Sequence, residues 1–426
     1  MNKITTDYLH ETFGIDSDII ERVEKAEKEL APVFEKLDEI LTFNQYKVLH
    51  HFQKARINDQ HFAWNTGYGY DDIGRDTLDL LFADCMQAEA ALVRPTIVNG
   101  THALFLALSG LLYPNDILLS ITGKPYDTLE KAIGISGNED GALNKFGIRY
   151  KQIDLLEDGS IDTDAIERTL NAQVKMVYVQ RSRGYGWRNS LGQKDLEDVF
   201  SLIHYLSPKC IIMVDNCYCE FCEENEPTYY GADVMAGSLI KNPGGGLAPT
   251  GGYIAGKREL INCIAQRLTV PGIGAEVGSY AGDYRMFYQG LFMAPHTVAE
   301  CLKTAVLFAK AFEILDFETL PSSESFRADI VQSVKLGDPE KLRVFCRCIQ
   351  EISPVDSNVT PEEWEMPGYD DKVIMAAGTF VQGATSELSA DGPMKQPYIA
   401  YLQGGLTYAH GKIAAMYVCD SLMKML

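Results

Sequence analysis

Lys241 stands between an apolar run (Val234, Met235, Ala236, Leu239, Ile240) and three consecutive glycines, Gly244, Gly245 and Gly246. A lysine so placed is either a strand-end cation reaching solvent or an amine held out of water for chemistry. An imine-forming lysine needs a neutral amine at the moment of attack, which desolvation and cationic neighbours favour. Glycines would let the backbone pass close to a bound ring or phosphate and take up positive φ. Asp215 lies 26 residues earlier, at the end of CIIMVD, and Ser238 three residues before the lysine. A carboxylate at a strand end is costly to desolvate unless it meets a cation or several donors. A protonated ring nitrogen would serve; capping of the next helix is the alternative.

Two further places carry residues of this kind. VNGTHA (98 to 103) runs into the apolar helix pattern ALFLAL, so the N–H groups of Gly100, Thr101 and His102 would lie at the positive end of a helix, where a phosphate binds. The dipole alone contributes about 0.3 to 1 kcal/mol, so a phosphate needs other donors as well, and a simple N-cap reads the same way. QRSRGYGWR (180 to 188) gathers Arg181, Arg183 and Arg188 after another apolar run. Their forks suit carboxylates, of a substrate or of surface acids.

The elements that must position these groups are short apolar runs alternating with helical segments. The runs are ILLSI (117 to 121), YKQID (150 to 154), VKMVYV (174 to 179), CIIMVD (210 to 215), VMAGSLI (234 to 240) and GYIAG (252 to 256). With helical patterns at 163 to 170 and 194 to 203 between them, they predict an α/β domain with a mainly parallel sheet covered on both faces. Ligands of such sheets sit beyond the carboxyl ends of the strands, where the residues above fall. Amphipathic spacing from 16 to 53 predicts two covering helices. A helix from about 297 to 315, short strands near 373 to 381 and a last helix from about 410 predict a smaller α+β domain. The expected division is an N-terminal helical segment (1–64), a large domain (65–285) and a C-terminal small domain (286–426).

Composition narrows the classes. Lys and Arg number 38 against 59 Asp and Glu, a net charge of −21, which repels nucleic acid and anionic lipid over most of the surface. No apolar run reads as long enough to cross a bilayer, and the N-terminus has no secretion core, so a cytoplasmic protein without a membrane partner is expected. The ten cysteines, spread through a long chain, fit reduced thiols. Cys217, Cys219 and Cys222 lie close together, yet no second CxxC or HxxxH accompanies them, and no metal site is assigned.

VDNCY (214 to 218) followed by GADVMAGSLIKN (231 to 242) resembles the cysteine and methionine metabolism branch of the fold-type I pyridoxal phosphate enzymes. TGYGYDDIGR (66 to 75), QRSRGY, GTFVQGA (378 to 384) and LQGGLTYAHG (402 to 411) extend the resemblance to the methionine γ-lyase-like, or aluminium-resistance, family. It implies a fold-type I PLP-dependent transferase-like (aspartate aminotransferase-like) large domain and pyridoxal 5'-phosphate as cofactor. Lys241 would be the imine-forming residue and base, Asp215 the partner of the pyridine nitrogen, and Gly100, Thr101, His102 and Ser238 the phosphate cradle. Tyr126 resembles the aromatic that stacks on the cofactor, although an ordinary half-buried tyrosine reads the same. Tyr70 and Arg75 match residues that reach the phosphate from a neighbouring subunit, which implies a homodimer or homotetramer.

The resemblance also implies elimination of a thiol from a small sulfur-containing amino acid, leaving a 2-oxo acid and ammonia, with Tyr126 as an acid or base. Cys217 and Tyr218 depart from the branch, which has a Thr-Phe pair there. The arginine for the substrate carboxylate has no clear counterpart; Arg181 and Arg183 are the candidates, with groups of the 378 to 408 region. An aminotransferase or racemase would share the early steps. A metal-stress binding protein is the reading from another class, suggested by the acidic charge and the cysteine cluster. A nicotinamide enzyme is disfavoured, since no GxGxxG joins a strand to a helix.

Overall fold

The computed structural model describes residues 1–278 and 280–425. The chain forms two compact units, one of Phe43–Gly184 and Ser190–Pro295, the other of Met1–Thr42, Tyr185–Asn189 and His296–Leu426. The boundaries thus fall after residues 42 and 295, where the sequence suggested 64 and 285. Residues 1–42 share a unit with the C-terminal part instead of standing as a separate segment.

The first unit is built on seven strands: β1 (Ala90–Arg94), β2 (Ile117–Ser120), β3 (Arg149–Gln152), β4 (Val174–Gln180), β5 (Ile211–Asp215), β6 (Val234–Ser238) and β7 (Gly252–Gly256). Their order is β1-β7-β6-β5-β4-β2-β3. β6, β5, β4, β2 and β3 pair in parallel, whereas β7 is antiparallel to both of its neighbours. A parallel crossover needs a connection of a dozen or more residues, usually a helix. The link from β6 to β7 carries only the 3-10 turn Asn242–Gly244, so the chain returns antiparallel. Lys241 sits at the start of that link.

Six of the strands coincide with the six apolar runs, and β1 is the one the pattern did not show. Its five residues, AALVR, do not alternate, and a short apolar run cannot be told from a buried helix by period. Leu104, Leu108 and Leu111 of the helix Gly100–Leu111 pack in one core with Leu118, Met176, Met213 and Ile254. Each such leucine stabilises the unit by about 1.5–3 kcal/mol, which fixes the start of that helix at the strand ends.

The second unit carries a five-stranded antiparallel sheet, β10-β11-β12-β9-β8, from β8 (Glu318–Leu320), β9 (Gln332–Lys335), β10 (Val373–Ala376), β11 (Ser389–Pro393) and β12 (Ile399–Gln403). The helices Pro339–Glu351 and Tyr408–Met423 pack together, and Ile19, Ile20, Val23 and Ala26 of the helix Ser17–Glu29 join their core. Lys412 ion-pairs with Glu24 and Glu27 at the edge of that contact. The N-terminal stripe therefore belongs to this core and is no mere cover.

One helix corrects a sequence expectation. Arg285–Glu313 is long and apolar enough to cross a membrane by length and composition, but 72% of its most apolar window is buried inside the protein. Packing of this kind accounts for its apolarity without lipid. The unit boundary falls just after Pro295 within it.

Candidate active site

The register Gln180↔Asp215↔Ala236 brings the carboxyl ends of β4, β5 and β6 level. Beyond them, Arg181 N–H donates to Asp215 O (3.3 Å) and Asn216 N–H to Ala236 O (3.0 Å), holding the strand-end turns together. Asp215 is 6% exposed. Its Oδ1 accepts from Cys217 N–H at 3.1 Å and its Oδ2 from the Tyr178 hydroxyl at 3.1 Å. The chain after it turns instead of entering a helix, so helix capping is not its role. Among the described residues no cation lies within ion-pair distance of this carboxylate. Burial pushes its pKa up, against the donors from Cys217 and Tyr178 and the nearby Lys241.

Lys241 is half-buried. Its Nζ lies 3.4 Å from the centroid of the Tyr218 ring, and Tyr218 holds a left-handed backbone, φ 72°. Burial disfavours the ammonium, but Tyr218, Cys217 and Asp215 more than offset it, so the group keeps its proton more tightly than a free lysine. Among the described residues the groups that act on the amine are a phenol, a thiol and a carboxylate, not the cations that would favour a neutral amine.

The glycine run also has a different cause from the one expected. A Cβ at Gly244 would fall 1.7 Å from Leu239 O. Gly245 has φ 56°, and a Cβ there would lie 2.3 Å from Gly290 O. These glycines are required by the protein's own backbone.

At the start of the helix Gly100–Leu111, Asn99 Oδ1 accepts from His102 N–H at 2.8 Å. The His102 ring Nδ1 accepts from Val98 N–H at 3.1 Å. His102 is thus engaged on both counts, which leaves the Gly100 and Thr101 amides as the donors of this turn. Thr101 Oγ1 lies 2.9 Å from Thr128 Oγ1. A Cβ at Gly100 would come 2.9 Å from Cys217 Sγ and 3.4 Å from Ser238 Cβ. Ser238 is fully buried, and its Oγ has no hydrogen-bond partner.

Tyr126 is half-buried beside this group, its N–H donating to Gln180 Oε1 at 2.8 Å. A Cβ at Gly184 would touch its ring at 3.4 Å.

Arg181 is fully buried, with Nε on Leu191 O (3.0 Å), one terminal nitrogen on Asn216 Oδ1 (2.6 Å) and the other on Glu223 Oε2 (2.5 Å). Its fork is spent inside the protein, which removes it as a substrate clamp. Arg183 is 2% exposed. Arg75 is likewise buried, its Nε on Asp76 Oδ1 at 2.7 Å, whereas Tyr70 is exposed. The 378 to 408 region lies in the other unit.

Sequence reasoning missed a buried polar chain behind Asp215. Asn216 Nδ2 donates to Glu226 Oε2 (2.9 Å) and to the Tyr253 hydroxyl (3.3 Å), and that hydroxyl donates to Glu220 Oε1 (2.8 Å). Burial pushes the Glu220 carboxyl up to about 8, with Glu226 adding to the effect. Asn242, next to Lys241, donates to Glu220 O at 2.9 Å. Neighbours of Asp215 and of Lys241 are thus tied to one residue. The acids in CYCEFCEENE (217 to 226) were the visible signal.

Of the ten cysteines nine are buried and Cys263 is exposed. Among the described residues no three His, Cys, Asp or Glu are arranged to hold a metal ion.

Residues 19–423 match the methionine gamma-lyase family. The chain belongs to this family. YnbB of Bacillus subtilis strain 168, itself uncharacterized, is 49% identical over 94% of this chain and 95% of its own length. A Clostridium novyi structure described as a carbon-sulfur lyase involved in aluminium resistance is 47% identical, covers both chains fully and has a TM-score of 0.95. A Clostridium acetobutylicum structure, proposed as a cystathionine beta-lyase involved in aluminium resistance, is 47% identical with a TM-score of 0.96, covering 99% of this chain and all of its own. At 16% identity, the pyridoxal phosphate-dependent protein YhfS of Escherichia coli shares the fold with a TM-score of 0.60 over 92% of this chain and 97% of its own. The fold of this family member is that of the fold-type I enzymes, with a second, smaller sheet unit.

Proposed function

We propose that this protein is a pyridoxal phosphate-dependent carbon–sulfur lyase that acts on a sulfur-containing amino acid and gives a thiol, a 2-oxo acid and ammonia. The observation that carries the reading is a set of unmet needs converging at the ends of β5 and β6. Ser238 Oγ is buried with no partner, and the backbone of Gly100 packs closely beside it, with no room for a Cβ between Cys217 and Ser238. Asp215 is a buried carboxylate with Lys241 nearby but, among the described residues, no ion-pair partner. Phosphate oxygens would meet Ser238 and the amides of Gly100 and Thr101, and a protonated ring nitrogen would meet Asp215. Lys241 Nζ stands on the same strand-end turns for the aldehyde carbon.

Bound pyridoxal phosphate supplies an electron sink for a carbanion at the substrate Cα. The protein's share is to place groups. Asp215 keeps a proton on the ring nitrogen. Lys241 Nζ takes the proton from Cα, so that one residue is both anchor and base. Tyr126 is the group to protonate the departing sulfur, held by the Gln180 contact on its own N–H. The names of the close relatives support sulfur chemistry over amino-group transfer.

The test is an absorbance spectrum of the purified protein before and after borohydride, followed by peptide mapping and a thiol-release assay with cystathionine and with methionine. A pyridoxyl label on Lys241 together with free thiol is the expected result. Absence of the label in cofactor-supplied protein, or amino-group transfer without thiol, would overturn the proposal.

A further inference from the structure

We infer that Tyr218 is a positioning residue for the Lys241 amine, its ring face serving as the seat that the amine occupies whenever it carries its proton. The assignment deepens the proposed function and rests on that reading for the amine's use in catalysis. Two observations carry it. Lys241 Nζ is 3.4 Å from the Tyr218 ring centroid, well inside the range of a cation over an aromatic face. Tyr218 also keeps a backbone at φ 72°, a region that a bulky side chain rarely adopts and that clusters at functional sites. That conformation belongs to the tight turn from Asp215 to Cys219, in which Cys217 N–H is bound to Asp215 Oδ1 and Cys219 N–H to Asn216 O.

The attraction distinguishes charge states. An ammonium is drawn to the negative face of the ring, whereas a neutral amine gains nothing comparable and is free to swing to a carbonyl carbon. The seat therefore sets the pH at which Lys241 becomes a nucleophile. The other groups facing the amine are the Tyr218 hydroxyl itself, the Asp215 carboxyl, the Cys217 thiol and, more remotely, Glu220. A change at Tyr218 alone leaves the last three in place. A cation over an aromatic face shifts the proton equilibrium about twofold to thirtyfold, or roughly 0.4 to 1.5 pH units.

The test uses full-length protein freed of bound aldehyde with hydroxylamine. Reductive methylation by formaldehyde and cyanoborohydride is followed across pH, with the extent at Lys241 read by peptide mass spectrometry. In Tyr218→Leu the labelling midpoint should fall by roughly 0.4 to 1.5 pH units, and in Tyr218→Phe, which keeps the ring and loses only the hydroxyl, it should fall by less. Tyr218→Gly removes the ring and suits the left-handed backbone, so it should show the same fall in a variant with no backbone reason to misfold. An unchanged midpoint in both the Leu and Gly variants would overturn the seat. A fall in Tyr218→Phe equal to that in Tyr218→Leu would also overturn it, by assigning the effect to the hydroxyl. Formaldehyde labelling does not depend on pyridoxal binding, so failure here is separate from failure of the lyase reading.

Discussion

Two clusters of buried charge lie within a few residues of each other at the strand ends of the seven-stranded sheet, and they differ in whether their needs are met. In the first, Arg181 spends its fork on Glu223, Asn216 and Leu191, and Asn216 passes the contacts on to Glu226 and Tyr253. In the second, among the described residues, Asp215 has two donors and no ion-paired cation, and Ser238 Oγ has no hydrogen-bond partner. Buried polar groups are almost always satisfied within a folded protein. The pairing of Arg181 in the first cluster is structural, and the open needs of the second are those the proposed function assigns to the cofactor.

Substitutions can break this contrast. The largest loss of activity should come from Lys241→Ala, which removes anchor and base together. Thiol release should fall by roughly 10²–10⁴-fold or more, with melting temperature little changed, as thiol assay and calorimetry would show. Arg181→Leu should do the opposite. Leaving Glu223 buried without its partner should destabilise the protein by about 3–5 kcal/mol, and the double change Arg181→Leu, Glu223→Leu should recover much of it. Denaturant titration of the three variants reads this directly.

Asp215→Asn is expected to keep the fold and lose activity by about a hundredfold, if the carboxylate raises the ring nitrogen's pKa by two units. Steady-state kinetics should show the loss in kcat.

A smaller effect concerns pH. The Glu220 carboxyl is raised to about 8 in the fold, so the folded protein holds a proton that the unfolded chain has released above its ordinary carboxylate range. That contribution to stability is complete in acid, and it is lost as pH rises through about 8. Glu220→Gln should flatten the fall, seen as a smaller drop in melting temperature between pH 6 and pH 9. The smallest change belongs to Ser238→Ala. Removing an unpartnered hydroxyl should leave stability within about 0.5 kcal/mol, while pyridoxal phosphate affinity falls measurably by fluorescence titration.

The strand runs were legible because each is a short apolar stretch bounded by turn residues, and Asp215, Ser238 and Lys241 fell at strand ends for the same reason. The partners were not legible. Tyr178 reaches Asp215 only through the register of β4 against β5, and Tyr253 reaches Glu220 only because β7 returns antiparallel beside β6. Arg181 read as a ligand for carboxylates, and it is one, although the carboxylate belongs to Glu223. A sequence shows the chemistry of a side chain without showing which partner reaches it first. The Tyr218 contact with Lys241 spans 23 positions and a left-handed turn, and nothing in local spacing announces it.

The membership of residues 1–42 in the C-terminal unit has a consequence for biogenesis. The helix Ser17–Glu29 leaves the ribosome about 380 residues before the helix Tyr408–Met423 that completes its core. At about 5–20 residues per second, its apolar stripe waits roughly twenty seconds or more for a mate. Nascent chains stalled before residue 400 should therefore recruit chaperones through Ile19, Ile20 and Val23.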